Sequence, residues 1–119
     1  MPSVPSTISG NTTIDMKSKF MFMVFVPRES RKGVPFTVAH HQKWDKFVYG
    51  LSGGITILKS AIGKWVNPDA KLEAEKMIPV MVGCTKDQME EIADFTVKHY
   101  DQVAVSYVKM GKFFLVYAD

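Results

Sequence analysis

The chain has 119 residues, enough for one domain with a real core, and its 46% hydrophobic to 23% charged balance excludes a disordered protein. The net charge of +3 is modest and no apolar run approaches the length of a bilayer span, so neither nucleic acid nor a membrane is an expected partner. One cysteine, Cys84, excludes an internal disulfide and a cysteine-built zinc cage.

Residues 1–18 are rich in Ser, Thr and Pro without hydrophobic period, which predicts a flexible arm ahead of a single domain over residues 19–119. The arm lacks a basic start followed by an apolar core, so a cytoplasmic protein is expected and the sequon at Asn11 carries little weight. "KFMFMVFV" (19–26) predicts a strand, "RESRKGVP" a loop, and the spacing of Val38, His41, Trp44, Phe47, Val48 and Leu51 a helix capped by Thr37 and stopped by "SGG". "GITILKSAIGKWV" predicts a second strand kinked near Gly63, "NPDA" a turn, and "KLEAEKMIPVMVG" a third strand in which Pro79 marks an edge or bulge. A capping box, Thr85-x-x-Gln88, opens a second helix with Met89, Ile92, Ala93, Thr96, Val97 and Tyr100 as its buried stripe. "VAVSYVK" and "FFLVYA" then predict two closing strands around a turn at "MGK".

This order, β-α-β-β-α-β with a short fifth strand, is that of an antiparallel ferredoxin-like α+β sandwich. Two helices cover one face of such a sheet, and the other face should then alternate apolar with polar. It does not. Phe20, Phe22, Val24 and Val26 occupy one side of the first strand, while Met21, Met23 and Phe25 occupy the other. The strand ending at Val82 and the last one repeat that pattern, so a self-assembled oligomer that buries the open face is expected, and a dimer or a trimer satisfies the argument equally.

Arg28, Arg31 and Lys32 form the densest basic stretch, which a solvated turn explains better than a phosphate site. His40 and His41, with Asp45 four residues on, lack a third ligand nearby, so one histidine at the core edge and one in solvent is the expectation and no metal is assigned. Cys84 and His99 show no nucleophile context, and Gly53-Gly54 precede a strand where phosphate cradling needs a helix, so no cofactor is assigned. Glu73 and Glu75 are two apart on a strand and share a face, with Trp65 across the hairpin. An aromatic plane beside carboxylates suits a cationic, base-bearing ligand, and acids on an outer edge equally keep a hairpin soluble. Both readings stand.

At this hairpin the sequence resembles a group of small uncharacterised bacterial and phage proteins with a PII-like fold. Their helical Trp and Phe, Gly-[ILV]-Thr, Gly-x-Trp and pre-strand Glu fall here on Trp44, Phe47, Gly54, Ile55, Thr56, Gly63, Trp65 and Glu75, within residues 20–110. "AEKMIPVMV" and "YDQVAVSYV", through Glu75, Lys76, Asp101 and Gln102, are also similar to the phage-encoded S-adenosylmethionine hydrolases, now regarded as lyases. That likeness implies a trimer with its site between subunits. There the substrate's own carboxylate displaces methylthioadenosine and leaves homoserine lactone. It further implies Glu75 as the catalytic residue that orients or polarises substrate, with Trp65 or Tyr49 near the adenine or sulfonium and Gln102 as a further ligand-binding residue, to which the hairpin reading adds Glu73. A small-molecule ligand is thus the expected partner besides self. A non-catalytic binding or regulatory protein, or a structural interaction module, are the alternatives, and whether the chain is an enzyme stays open.

Overall fold

The computed structural model describes residues 18–118, and the arm expected over residues 1–18 and Asn11 lie outside the described residues except for Ser18. Strand β1 (Phe20–Pro27) leads to helix α1 (Val38–Ser52), then β2 (Ile55–Ile57), β3 (Ala61–Val66), β4 (Leu72–Cys84), helix α2 (Lys86–His99) and β5 (Tyr107–Lys112). The sheet runs β2-β4-β1-β5 with every pairing antiparallel, and β3 also pairs with β4. The 13-residue β4 carries both: β2 lies opposite Val80–Val82 and β3 opposite Leu72–Met77. No helix among the described residues is long and apolar enough to cross a membrane.

The expected second strand is therefore two strands, and it breaks at residues 58–60 instead of kinking at Gly63. Pro79 explains the break. Its carbonyl accepts from Leu58 N at 2.9 Å, so the side of Pro79 that lacks an N–H faces that gap. On its other side Phe25 is the register partner of Pro79, and Phe25 N donates to Ser106 O at 3.1 Å, so that edge of β4 asks nothing of the proline. Pro79 thus sits in a central strand, not at a sheet edge, because its neighbour is interrupted there.

The two closing strands are also one. "MGK" lies inside β5, where the register against β1 slips between Met21 and Phe22 and Gly111 takes φ 148°. The glycine makes a bulge here rather than a reversal. Phe113 N still donates to Lys19 O at 3.0 Å, but residues 114–118 run past the start of β1 and form no strand among the described residues.

Both helices cover one face. Phe22, Val24 and Val26 of β1 and Val80, Val82 and Cys84 of β4 meet Trp44, Val48, Met89, Ile92 and Tyr100, all buried. Trp44 Nε1 donates to Thr96 Oγ1 at 2.8 Å, and Thr96 Oγ1 donates to Ile92 O at 2.6 Å, so the buried hydroxyl is satisfied twice. Thr37 caps α1 by accepting from His40 N, and Gly53, at φ 99°, ends it. The Thr85–Gln88 capping box is complete, and Gln88 Nε2 reaches back to Leu51 O at 3.1 Å, tying the start of α2 to the end of α1. The opposite face presents Met21, Met23, Phe25, Met77 and Met81, none of them fully buried.

Candidate functional site

The β3–β4 hairpin positions the site. Its turn is held by Asn67, whose Oδ1 accepts from Asp69 N at 2.9 Å and Lys71 N at 3.0 Å. Asn67 Nδ2 donates to Glu73 Oε2 at 2.7 Å, so one of the two same-face acids belongs to the turn. The register then pairs Trp65 with Glu73, Gly63 with Glu75 and Ala61 with Met77. These alternate positions thereby share the open face of the sheet.

Two adjoining clefts open here, one on this face and one at the edge of the hairpin. One, of about 630 Å³, has apolar walls from Phe25, Ala61, Met77 and Val105. The other, of about 860 Å³, is bordered by Glu29, Arg31, Glu73, Lys76 and Gln102. Ile62, Trp65, Glu75 and Ala104 line both, so Trp65 and Glu75 stand on the shared wall. Glu75 has no hydrogen-bond or ion-pair partner among the described residues, and burial pushes its carboxyl above the usual carboxylate range. Trp65 remains 45% exposed, its ring available to a flat ligand.

Gln102 enters through the chain reversal after α2, where Asp101 takes φ 51°. Gln102 N donates to Val97 O at 3.0 Å and its Nε2 to Tyr100 O at 2.9 Å, which fixes the side chain at the cleft border. The basic loop folds onto the same border: Arg31 meets Asp101 at 3.3 Å and Lys76 meets Glu29 at 3.4 Å, both exposed pairs of small energetic worth. Trp65, Glu73, Glu75 and Gln102 are therefore brought together. Tyr49 is not. It lies on α1 and lines neither cleft. Arg31 and the 104–106 segment are the members that sequence reasoning missed. Arg31 carried a signal in the basic loop, whereas Ala104–Ser106 carried none, because only the fold sets that segment beside the hairpin.

The histidines are partnered, contrary to the expectation of one solvated ring. His40 and His99 stack with centroids 3.8 Å apart, and His41 Nδ1 lies 2.6 Å from the Tyr100 hydroxyl. Cys84 is buried in the core, which pushes its thiol up to about 11.

No protein-family model and no curated protein matches the sequence. Solved structures do match. CutA1 from Oryza sativa superposes with a TM-score of 0.62 at 6% identity, over 85% of this chain and 84% of that one. A phage SAM lyase in complex with S-methyl-5'-thioadenosine gives 0.60 at 10% identity, over 84% and 88%. The divalent cation tolerance protein CutA1 from Thermus thermophilus gives 0.58 at 8%, over 77% and 82%. The fold is PII-like. In this PII-like sheet the paired clefts lie between the β3–β4 hairpin and the segment that follows α2.

Proposed function

We propose that this PII-like chain self-associates through its open sheet face, as a trimer, and holds a small ligand in the paired clefts at Trp65 and Glu75. The observation that carries the reading is a half-buried, unpartnered Glu75 carboxylate on the wall shared by both clefts, beside an available indole. An unpaired carboxylate in a partly apolar setting is costly unless a cation joins it. S-adenosylmethionine supplies a sulfonium, an ammonium and an adenine in one molecule, and the likeness in fold to a phage SAM lyase supports it as the ligand.

The chemistry asks little of the protein. The substrate carboxylate attacks its own γ-carbon, a C–O bond forms, the C–S bond breaks, and the electron pair stays on sulfur. Methylthioadenosine and homoserine lactone leave with no water or proton consumed. Such a closure depends on folding the substrate and excluding water. Glu75 holds the cationic centre, Trp65 stacks on the adenine, and Glu73 and Gln102 border the polar end. A second reading, ligand binding without turnover, is favoured by one observation: the 28–36 loop reaches the second cleft through Arg31, so that occupancy would be felt by the loop. Purified protein incubated with S-adenosylmethionine and followed by mass spectrometry tests both. Methylthioadenosine from wild type and none from Glu75→Gln supports the lyase, binding without product supports the sensor, and neither binding nor product ends both.

A further inference from the structure

On the helix-covered side of the sheet, sharing no lining residue with those clefts, a separate hollow of about 280 Å³ opens between α1 and β2. Its walls are mostly apolar, Val38, Ile57 and Ile78 among them, and its polar members include His41, Asp45 and Tyr100. His41 and Asp45 are one helical turn apart, so they project to the same side. Tyr100 is 1% exposed and its hydroxyl is taken by His41 Nδ1 at 2.6 Å, which fixes the imidazole plane. Besides Gln42, which is exposed to solvent, two groups are left over. The Asp45 carboxylate and His41 Nε2 have no hydrogen-bond or ion-pair partner among the described residues.

We propose that this hollow is a binding site for a small amine, a monocation with a branched apolar body. The hollow holds one carboxylate, no cation paired with it and a desolvated imidazole, so an anion is repelled and a neutral guest leaves the carboxylate unmet. An ammonium donates to Asp45 and to His41 Nε2, selecting the tautomer whose Nδ1–H donates to the Tyr100 oxygen. The apolar walls receive the alkyl part. The volume suits a compact guest, since an apolar cavity of about 150 Å³ already accepts a benzene-sized molecule. A metal ion is disfavoured by the donor set: among the described residues no three His, Cys, Asp or Glu side chains gather to hold one. This site is independent of the proposed clefts and survives if those bind nothing.

The test is a nuclear magnetic resonance titration of the isotopically labelled full chain with 3-methylbutylammonium chloride at neutral pH. Saturable shifts are expected at the Trp44 indole and the His41 ring, with a dissociation constant on the order of 1 mM. Asp45→Asn, an isosteric change whose unchanged spectrum elsewhere reports folding, should weaken binding roughly tenfold or more, and Glu75→Gln should leave it unchanged. Equal binding of 3-methylbutanol or 3-methylbutanoate overturns the proposal, as do shifts centred on Trp65 or the lack of saturable shifts at Trp44 and His41.

Discussion

Gly63 lies opposite Glu75 on the β3–β4 ladder, and a Cβ added at Gly63 would stand 2.6 Å from Met77 Cε. The thioether end of Met77 therefore rests over the one residue in β3 that offers no side chain, on the wall of the apolar cleft. Gly63→Ala must displace that methyl, and a methionine terminus swings aside at small cost. The variant should lose no more than about 1 kcal/mol in chemical denaturation. Ligand affinity at Trp65 and Glu75 should fall well beyond what that stability change explains. Unaltered affinity for S-adenosylmethionine, where wild type binds it, would remove the cleft from the argument.

Glu75 itself should be a residue held at the expense of stability. Burial raises its folded pKa above the ordinary 4.5, so between those two values the folded chain carries the extra proton. Stability from this group consequently falls as pH rises through that window and stays lowered above it. Glu75→Gln should raise the melting midpoint near neutral pH by roughly 1–3 °C and leave it level with wild type below pH ~4. A lower midpoint at neutral pH would show that the carboxylate is structurally partnered. Turnover, where wild type shows it, should drop about 100-fold or more.

The proposed oligomer is built on the open face. Met23 on β1 pairs with Met81 on one side and Val108 on the other, three apolar residues in a row on the uncovered side. Met23→Glu puts a charge at the middle of that row. Sedimentation should show an assembled wild type and a smaller Met23→Glu species at the same concentration. A monomeric wild type would instead withdraw self-association and every interface claim with it.

Legibility in the sequence tracked how local each determinant was. The helix caps at Thr37 and Thr85 and the placing of Trp65 across the hairpin from Glu73 and Glu75 follow from short-range spacing, and the structure has them as read. The split of the second strand was not legible. The reason is a proline about 20 residues away in the partner strand, whose missing N–H matters only once β4 is central. Gly111 was misread as a turn because a bulge and a reversal draw on the same positive φ. Tyr49 was assigned by resemblance alone, and helix α1 carries it away from the clefts. The histidines were judged from α1 alone, although their partners sit at the end of α2.

Those partners make a clasp. Nε2 of His40 donates to the His99 carbonyl and Nε2 of His99 donates to the His40 carbonyl, each at 2.7 Å. Phe36, His40, His99, Phe95 and Phe47 continue as successive stacked rings between the helices. His40→Ala should cost about 2 kcal/mol, because it removes a stacked ring and also leaves the His99 carbonyl without its donor. In a double-mutant cycle with His99→Ala the two losses should fall short of additive by about 1 kcal/mol. The shortfall measures the ring stack, since each bond runs to a backbone carbonyl that alanine keeps; strict additivity would mean the two bonds, not the stack, fasten α1 to α2.

His41 should dominate a separate acid response. Desolvation, only partly offset by Asp45, lowers its folded pKa below the ordinary 6.5, with His40, His99 and Arg28 acting in the same direction. As pH falls from 6.5 toward that lower value the unfolded chain takes up the proton first, so stability is lost across this window. Asp45 works oppositely and lower down: its raised pKa means that protonation above its ordinary 3.8 favours the folded chain. His41→Gln removes the first effect and keeps the second. Melting midpoints between about pH 7.5 and 5.5 should therefore fall less steeply in His41→Gln than in wild type, with the gap between the two curves changing most below the ordinary histidine value. Parallel curves across that range would mean that His41 titrates as it does in the unfolded chain, and that its pairing with Tyr100 does not disfavour its protonation.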